Sequence, residues 1–421
     1  MRLLCAALVF AFITIATAEC ILSVPEDING LYAPIILVMR FPTKNYRLFE
    51  PVGKKTNFPD ESKLKLVCTN EDNFLKFNSE SQLTLTCTGG EFVDANGNKR
   101  ELKTITCEKL LTYVIKRTIE RCAANYSMYN VGYEIESKFY GPIYRICYGD
   151  DKPSGSYTHH IINDKLSRGS KFYTSLITKK FTAEELDDLY YLQSQLKVFK
   201  FLNYNGRAIV NNFNYFVEGR LTPDTEMIAF SERLCTYDYA NVIPQFRTVH
   251  EGNVLLVEKR LRELAIRQNI KLEVYSGYFN TLKMNLDGQE KYIYLDYQAE
   301  NPEHPVPQYI YKFVFNKFNN SGLVFVILND PYSTRSVKTI KEFCKNLDRN
   351  PISGLFIVCF RIALHSLPQL LTRLQQQQFE FNHDDIFFVY MFIRFDIDEE
   401  KAERKARKVD KENEEEEWQE H

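Results

Sequence analysis

Nine cysteines lie downstream of residue 18, and five of them, Cys20, Cys68, Cys87, Cys107 and Cys122, come before residue 125. In an oxidising compartment such crowding cross-links a small domain and stabilises it by a few kcal/mol per bridge. The first eighteen residues point to that compartment. Met1-Arg2, the apolar run Leu3 to Ile15 and then Ala16-Thr17-Ala18 have the charged, apolar and small-residue zones of a secretory signal, with cleavage expected before Glu19. The run is shorter than the roughly 20 residues of a bilayer-spanning helix, and no later stretch of that length lacks charge. The mature chain is therefore expected to be secreted, with no membrane segment. Cys147, Cys235, Cys344 and Cys359 complete an odd set, so at least one thiol is expected to stay unpaired or to bridge to another chain. No two cysteines are spaced C-x-x-C, which argues against a zinc ribbon. Asn125 and Asn319 begin triplets that fit glycosylation.

Hydrophobic patterning divides the rest of the chain. From residue 19 to about 150, short alternating segments such as Lys63 to Cys68 and Leu83 to Cys87 are broken by turn signals at Thr88-Gly89-Gly90 and Ala95-Asn96-Gly97, which predicts a β-rich, disulfide-tied region. Asp150 to Ser156 collects loop residues and is the expected boundary of a second region running to residue 395. There, Thr182 and Glu185 form a capping box ahead of Leu186, Leu189, Leu192 and Leu196 at helical spacing. A second helix is expected from Gly252 to Gln268, with Val257, Leu261 and Leu264 on one face. Strands are expected at Lys271 to Tyr275, Lys291 to Tyr297, Tyr309 to Phe315 and Leu323 to Leu328. Helices and strands without strict alternation predict an α+β fold. Gln375 to Gln378 is a small low-complexity patch. The last segment, Asp396 to His421, holds twelve acids against six bases and accounts for more than the whole formal charge of -2. That segment is either a solubilising tail or an acidic arm that competes with a polyanion for a basic groove.

The chemistry concentrates between Tyr215 and Glu258. The blocks read Tyr215-Phe-Val-Glu-Gly-Arg-Leu-Thr-Pro-Asp, then Tyr239-Ala-Asn-Val-Ile-Pro-Gln, then His250-Glu-Gly-Asn-Val-Leu-Leu-Val-Glu. Together they resemble the DNA/RNA non-specific endonuclease family, in its secreted insect branch. In that family an Asp-Arg-Gly-His-Leu-x-Pro-type motif precedes Asn-x-x-Pro-Gln and then a metal-binding Asn on a helix that carries a Glu. Pro305-Val306-Pro307 and Asn329-Asp330-Pro331 extend the resemblance. It implies a ββα-metal nuclease-like fold, with a central antiparallel sheet flanked by helices, behind the β-rich disulfide-containing region.

The resemblance also shows where the chain departs from its family. Gly219, Leu221, Pro223, Asn241, Pro244, Gln245 and Glu258 fall on matching positions. The family's general-base histidine falls on Arg220, and a guanidinium that stays protonated at neutral pH cannot accept a proton. The family's arginine falls on Glu218, an anion where a phosphate-attracting cation belongs. The metal-ligand asparagine falls on His250, and an imidazole weakens the hold on magnesium, which prefers oxygen. His250 either ligates zinc or manganese or simply faces solvent at a helix start. Arg220 and Glu218, two apart, could equally line a solvated strand face. Of the adjacent pair His159-His160 only one could serve as a substitute base, because neighbours on a strand point to opposite faces.

What these departures leave intact is the grip on phosphate. Arg220, Arg247 and Asn241 are the expected nucleic-acid contacts, supported by Glu258, with Arg207, Arg233, Lys259, Arg260, Arg262 and Arg267 as further cations. The sequence thus predicts secreted, non-sequence-specific binding to the DNA or RNA backbone, with no cofactor required and at most a weakly held Mg, Mn or Zn. The competing readings are a weak metal-dependent endonuclease and a host-interaction protein that does not touch nucleic acid.

Overall fold

The computed structural model describes residues 18–333, except 41, 123–125, 150–153, 166–182, 298–301 and 319–320. The signal segment, Asn125, Asn319, Thr182, Cys344, Cys359, the glutamine patch and the acidic tail lie outside the described residues.

The cysteine-rich region begins with β1 (Cys20–Ser23), β2 (Ile35–Arg40), β3 (Asn45–Leu48), β4 (Lys55–Phe58), β5 (Lys63–Val67), β6 (Gln82–Thr88) and β7 (Glu91–Val93). Five of these form an antiparallel sheet in the order β3-β2-β5-β6-β7, while β1 pairs with β4. Gly89 and Gly97 take positive φ (59° and 79°) at the turns that the sequence marked. Cys20–Cys87 ties the small ribbon to the sheet, and Cys68–Cys107 closes the loop beyond it. Cys122–Cys147 is the third bridge, and Cys235 is a buried free thiol. Among the described residues it is the one cysteine outside a bridge; Cys344 and Cys359, which also enter the odd count, lie outside them.

A second antiparallel sheet is built from β8 (Val114–Arg121), β9 (Ser127–Ile135), β10 (Lys138–Tyr148) and β11 (Tyr157–Ile162), joined by strands from much later in the chain. Tyr144 to Cys147 pairs residue by residue with Tyr157 to His160, so this sheet passes straight through the boundary expected at residue 150. Two helices follow, α1 (Ala183–Tyr190) and α2 (Leu192–Phe201). One helix was expected across this stretch; Tyr191, at φ -71° and ψ 134°, divides it in two.

Next come β12 (Phe216–Arg220), α3 (Phe230–Cys235) and β13 (Val242–Phe246), and then a continuous helical run. That run starts at α4 (Arg247–Val249), earlier than the expected Gly252, and passes through a π-helical turn at His250–Val254 into α5 (Leu255–Gln268). Asn269, with φ 52°, closes the helix in the left-handed conformation. β14 (Leu272–Thr281), the small hairpin of β15 (Lys283–Leu286) and β16 (Gln289–Tyr292), β17 (Pro307–Asn316) and β18 (Ser321–Leu328) complete the described chain. The strand expected to reach Tyr297 ends at Tyr292, because Ile293 turns to donate to Leu282 O.

The second sheet has seven strands in the order β18-β17-β14-β11-β10-β9-β8, all antiparallel. Alternation along each strand separates its faces. Ile146, Ile162, Leu272, Val274, Ile310 and Val314 point toward the core that also holds Val257, Leu261 and Ala265 of α5. Tyr157, Tyr311 and Phe313 form a smaller cluster with Met128 and Cys147. A central antiparallel sheet covered by helices is the α+β architecture expected from the sequence.

Candidate nucleic-acid interface

β12 and β13 form an isolated two-stranded ribbon, registered Phe216 to Phe246 and Arg220 to Val242, and the helix leaves directly from its end. Strand, strand and helix in this order make a ββα unit. A lone ribbon has two bare edges, and side-chain amides satisfy both of them. On one side Gln195 of α2 accepts from Phe216 N (2.8 Å) and donates to Phe216 O (2.8 Å), standing in for a neighbouring strand. On the other, Asn329 accepts from Phe246 N (2.9 Å) and donates to Pro244 O (3.1 Å) and Pro307 O (2.9 Å). Buried backbone groups need such partners, and this gives the Asn329-Asp330-Pro331 stretch a structural role.

The motif residues hold this unit together. Gly219 has no Cβ because one would lie 2.0 Å from Gln245 Cδ. Gln245 fills that space and its Oε1 accepts from His250 Nδ1 at 3.0 Å. A carbonyl oxygen only accepts, so Nδ1 carries the proton and the lone pair of His250 sits on Nε2. Asn241 is fully buried, accepts from Thr222 N (2.9 Å) and donates to Thr222 O and Thr236 O (2.8 Å each). Its amide locks the Leu221 to Pro223 turn. That removes Asn241 from the expected nucleic-acid contacts, because none of its polar atoms reaches the surface.

Arg220 and Glu218 share one face of β12, as their spacing predicts, but not a freely solvated one. Arg220 Nη2 donates to Asp224 Oδ1 (2.8 Å) and its guanidinium lies 4.1 Å over the Tyr237 ring. Asp224 is buried and takes a second ion pair from Arg233 at 3.2 Å, so Arg233 belongs to the interior and not to a groove. Burial raises the Glu218 pKa, with Asp187 adding to the effect and Arg220 opposing it.

His250 does not face open solvent either. Burial, and next the Arg220 charge, push its pKa down to about 4, so it is neutral at physiological pH. In the unfolded chain the imidazole titrates near its ordinary value, so unfolding takes up a proton as pH falls through about 6.5 toward 4. Stability should therefore be complete for this group above the unfolded value. About 3 kcal/mol should be lost across that window. His250→Asn should flatten this part of a stability-versus-pH curve, and an unchanged acid limb in melts from pH 7 to 4 would refute the assignment. His160, buried and also shifted downward by burial, adds loss in the same direction.

Below the ribbon lies a buried polar cluster that the sequence did not reveal. Glu258 is 1% exposed and pairs with Lys312 Nζ at 3.2 Å. His160 Nε2 is 2.5 Å from Glu226 Oε2, and its Nδ1 is 3.2 Å from Thr222 Oγ1. Of the two adjacent histidines, His160 thus points inward and His159 outward, where it stacks on Tyr275. Burial opposes ionisation of Glu226, but Lys312, His160 and Arg262 together hold its pKa below the ordinary value. Burial raises that of Glu258, and Glu226 adds to the rise against Lys312.

The carboxylates here are already engaged, Glu258 by Lys312 and Glu226 by His160. Among the described residues no three His, Cys, Asp or Glu side chains converge on a metal position. The imidazole at the family's ligand position lies within the field of Arg220, and Glu258 is committed to Lys312. No step through a metal follows from this set. Of the remaining expected cations, Arg207, Lys259, Arg260 and Arg267 are exposed, Arg262 donates to Thr225 Oγ1, and the part-exposed Arg247 pairs with Glu251 at 2.9 Å.

A ββα unit beside an antiparallel sheet, with Gly-x-Leu-x-Pro running off the end of its first strand and Asn-x-x-Pro-Gln leading into its second, defines a nuclease-type scaffold. The sequence profile of the DNA/RNA non-specific endonucleases matches residues 125–359, and the chain belongs to that family. It is similar to salivary protein Tsal1 of Glossina morsitans morsitans, 38% identical over 79% of this chain and 84% of that one. Salivary protein Tsal2A of the same fly is 37% identical over 83% and 90%, respectively. A salivary endonuclease of Lutzomyia longipalpis is 25% identical over 79% and 76%. No described helix is long and apolar enough to cross a membrane.

Proposed function

We propose that this chain is a secreted protein that binds the backbone of DNA or RNA without sequence preference, on a nuclease fold whose hydrolytic chemistry is weak or absent. One observation carries the reading. At the position where the family places its general base, the chain has Arg220, held by Asp224 and stacked on Tyr237. A pre-ordered guanidinium suits phosphate oxygens and cannot take a proton from water. Glu218 and His250 support the same reading, the first as an anion at the arginine position and the second as a nitrogen at the ligand position. Secretion is supported by the amino-terminal signal pattern, three disulfides and salivary relatives. Arg220, with Arg247 and the exposed cations Arg207, Lys259, Arg260 and Arg267, supplies the phosphate contacts.

Fluorescence anisotropy with labelled duplex DNA and single-stranded RNA tests the binding, run beside plasmid nicking with magnesium and with a chelator. Affinity should fall about tenfold or more between ~50 and ~200 mM salt and vary little with sequence. Nicking should not exceed the chelator control. Failure to bind at the lower salt, or clear magnesium-dependent cleavage, would overturn the proposal.

A further inference from the structure

The helix-facing side of the seven-stranded sheet carries a polar seam to which phosphate binding assigns no role. Thr158 and His160 on β11, Ser276 on β14 and Lys312 on β17 all point to this side, with Thr158 registered opposite Ser276 and Ser276 opposite Lys312. A lysine at the centre of a buried sheet face is costly unless every hydrogen of its ammonium finds an acceptor. Here three oxygens surround Nζ: Glu258 Oε1 at 3.2 Å, Leu221 O at 3.2 Å and Ser276 Oγ at 3.1 Å. Carboxylate, carbonyl and hydroxyl oxygens make the kind of shell that a hard cation takes.

The same charge serves a second acid. Glu226 is fully buried, leans on the Lys312 charge, and keeps Oε1 without a hydrogen-bond partner. Glu258 on α5 thus pairs directly with the ammonium from β17, while Glu226, in the turn after β12, pairs with His160 and feels that charge from farther off. Removing a cation from such a cluster leaves uncompensated charge in the interior, which is strongly unfavourable.

We propose that Lys312 is a built-in cation that does the work of a divalent ion beside the buried carboxylate of Glu258, closing that carboxylate to metal. Glu258 therefore needs no divalent counter-ion, whether or not nucleic acid is bound.

Thermal unfolding of the full chain tests this, with Mn2+ and Mg2+ as the probes and EDTA as reference. The wild-type Tm should be the same in EDTA and in millimolar Mn2+ or Mg2+; a rise of about 5 °C or more in either would overturn the proposal. Lys312→Ala opens the shell and should gain a demand for metal: its Tm, or its folded yield on refolding, should rise in Mn2+ relative to EDTA. If Lys312→Ala behaves identically in both, including failure to fold in both, the proposal is overturned. Lys312→Ala combined with Glu258→Gln removes a carboxylate together with the cation, and should show a smaller Mn2+ response than Lys312→Ala alone. An equal response would place the metal elsewhere and would likewise overturn it.

Discussion

Asn241→Ala should cost about 3–5 kcal/mol, because it strands three buried backbone groups at once, each worth about 1–3 kcal/mol when left unpaired. Thr222 N loses its acceptor, and Thr222 O and Thr236 O lose their donor. All these residues are buried, so water cannot easily replace the amide. The turn they fix carries Leu221 and Pro223 and sets the direction in which the chain leaves Arg220. Guanidinium denaturation measures the loss. The folded variant should bind DNA within about twofold of wild type, since Asn241 touches no surface; a variant of normal stability with poor binding would return Asn241 to the interface.

The second large effect concerns the Glu258–Lys312 pair. Glu258→Leu and Lys312→Met alone should each cost about 3–5 kcal/mol, since each leaves a partner ionised in the core. The double variant should be more stable than Lys312→Met alone. Only Glu226 then lacks its counter-charge, and it retains the 2.5 Å contact to His160. A double-mutant cycle by chemical denaturation gives the coupling. Additive losses would mean that the 3.2 Å contact contributes little and that each side chain matters only through its own packing.

Local signals were readable in the sequence. Gly219 and Gln245 stood out as motif letters, and the structure gives the reason in a single collision, a Cβ 2.0 Å from Gln245 Cδ. The α+β class followed from helices and strands that do not alternate strictly, most of the later strands from their aromatic and β-branched residues, and the leucine spacing found the helical stretch that Tyr191 divides. Long-range relations were not readable. Nothing in the sequence singles out Lys312, because only the register of Ser276 with Lys312 brings it beneath Glu258. The parity argument for His159-His160 was sound, but strand parity does not say which of the two faces inward. The residues around 150 looked like a boundary because loop residue types occur both between strands of one sheet and between domains, and the β10–β11 pairing on either side of them could not be read from the sequence.

The pairing of β10 with β11 bears on how the protein can be cut into pieces. A recombinant fragment starting at residue 151 would keep β11 and remove Tyr144 to Cys147, the strand segment that pairs with it. It would expose a row of unsatisfied amide and carbonyl groups through the middle of the sheet, a ready template for other copies of the fragment. It would also strip Cys122 and Cys147 from the chain. The shortest piece that keeps all seven strands of this sheet starts no later than Val114, at the head of β8.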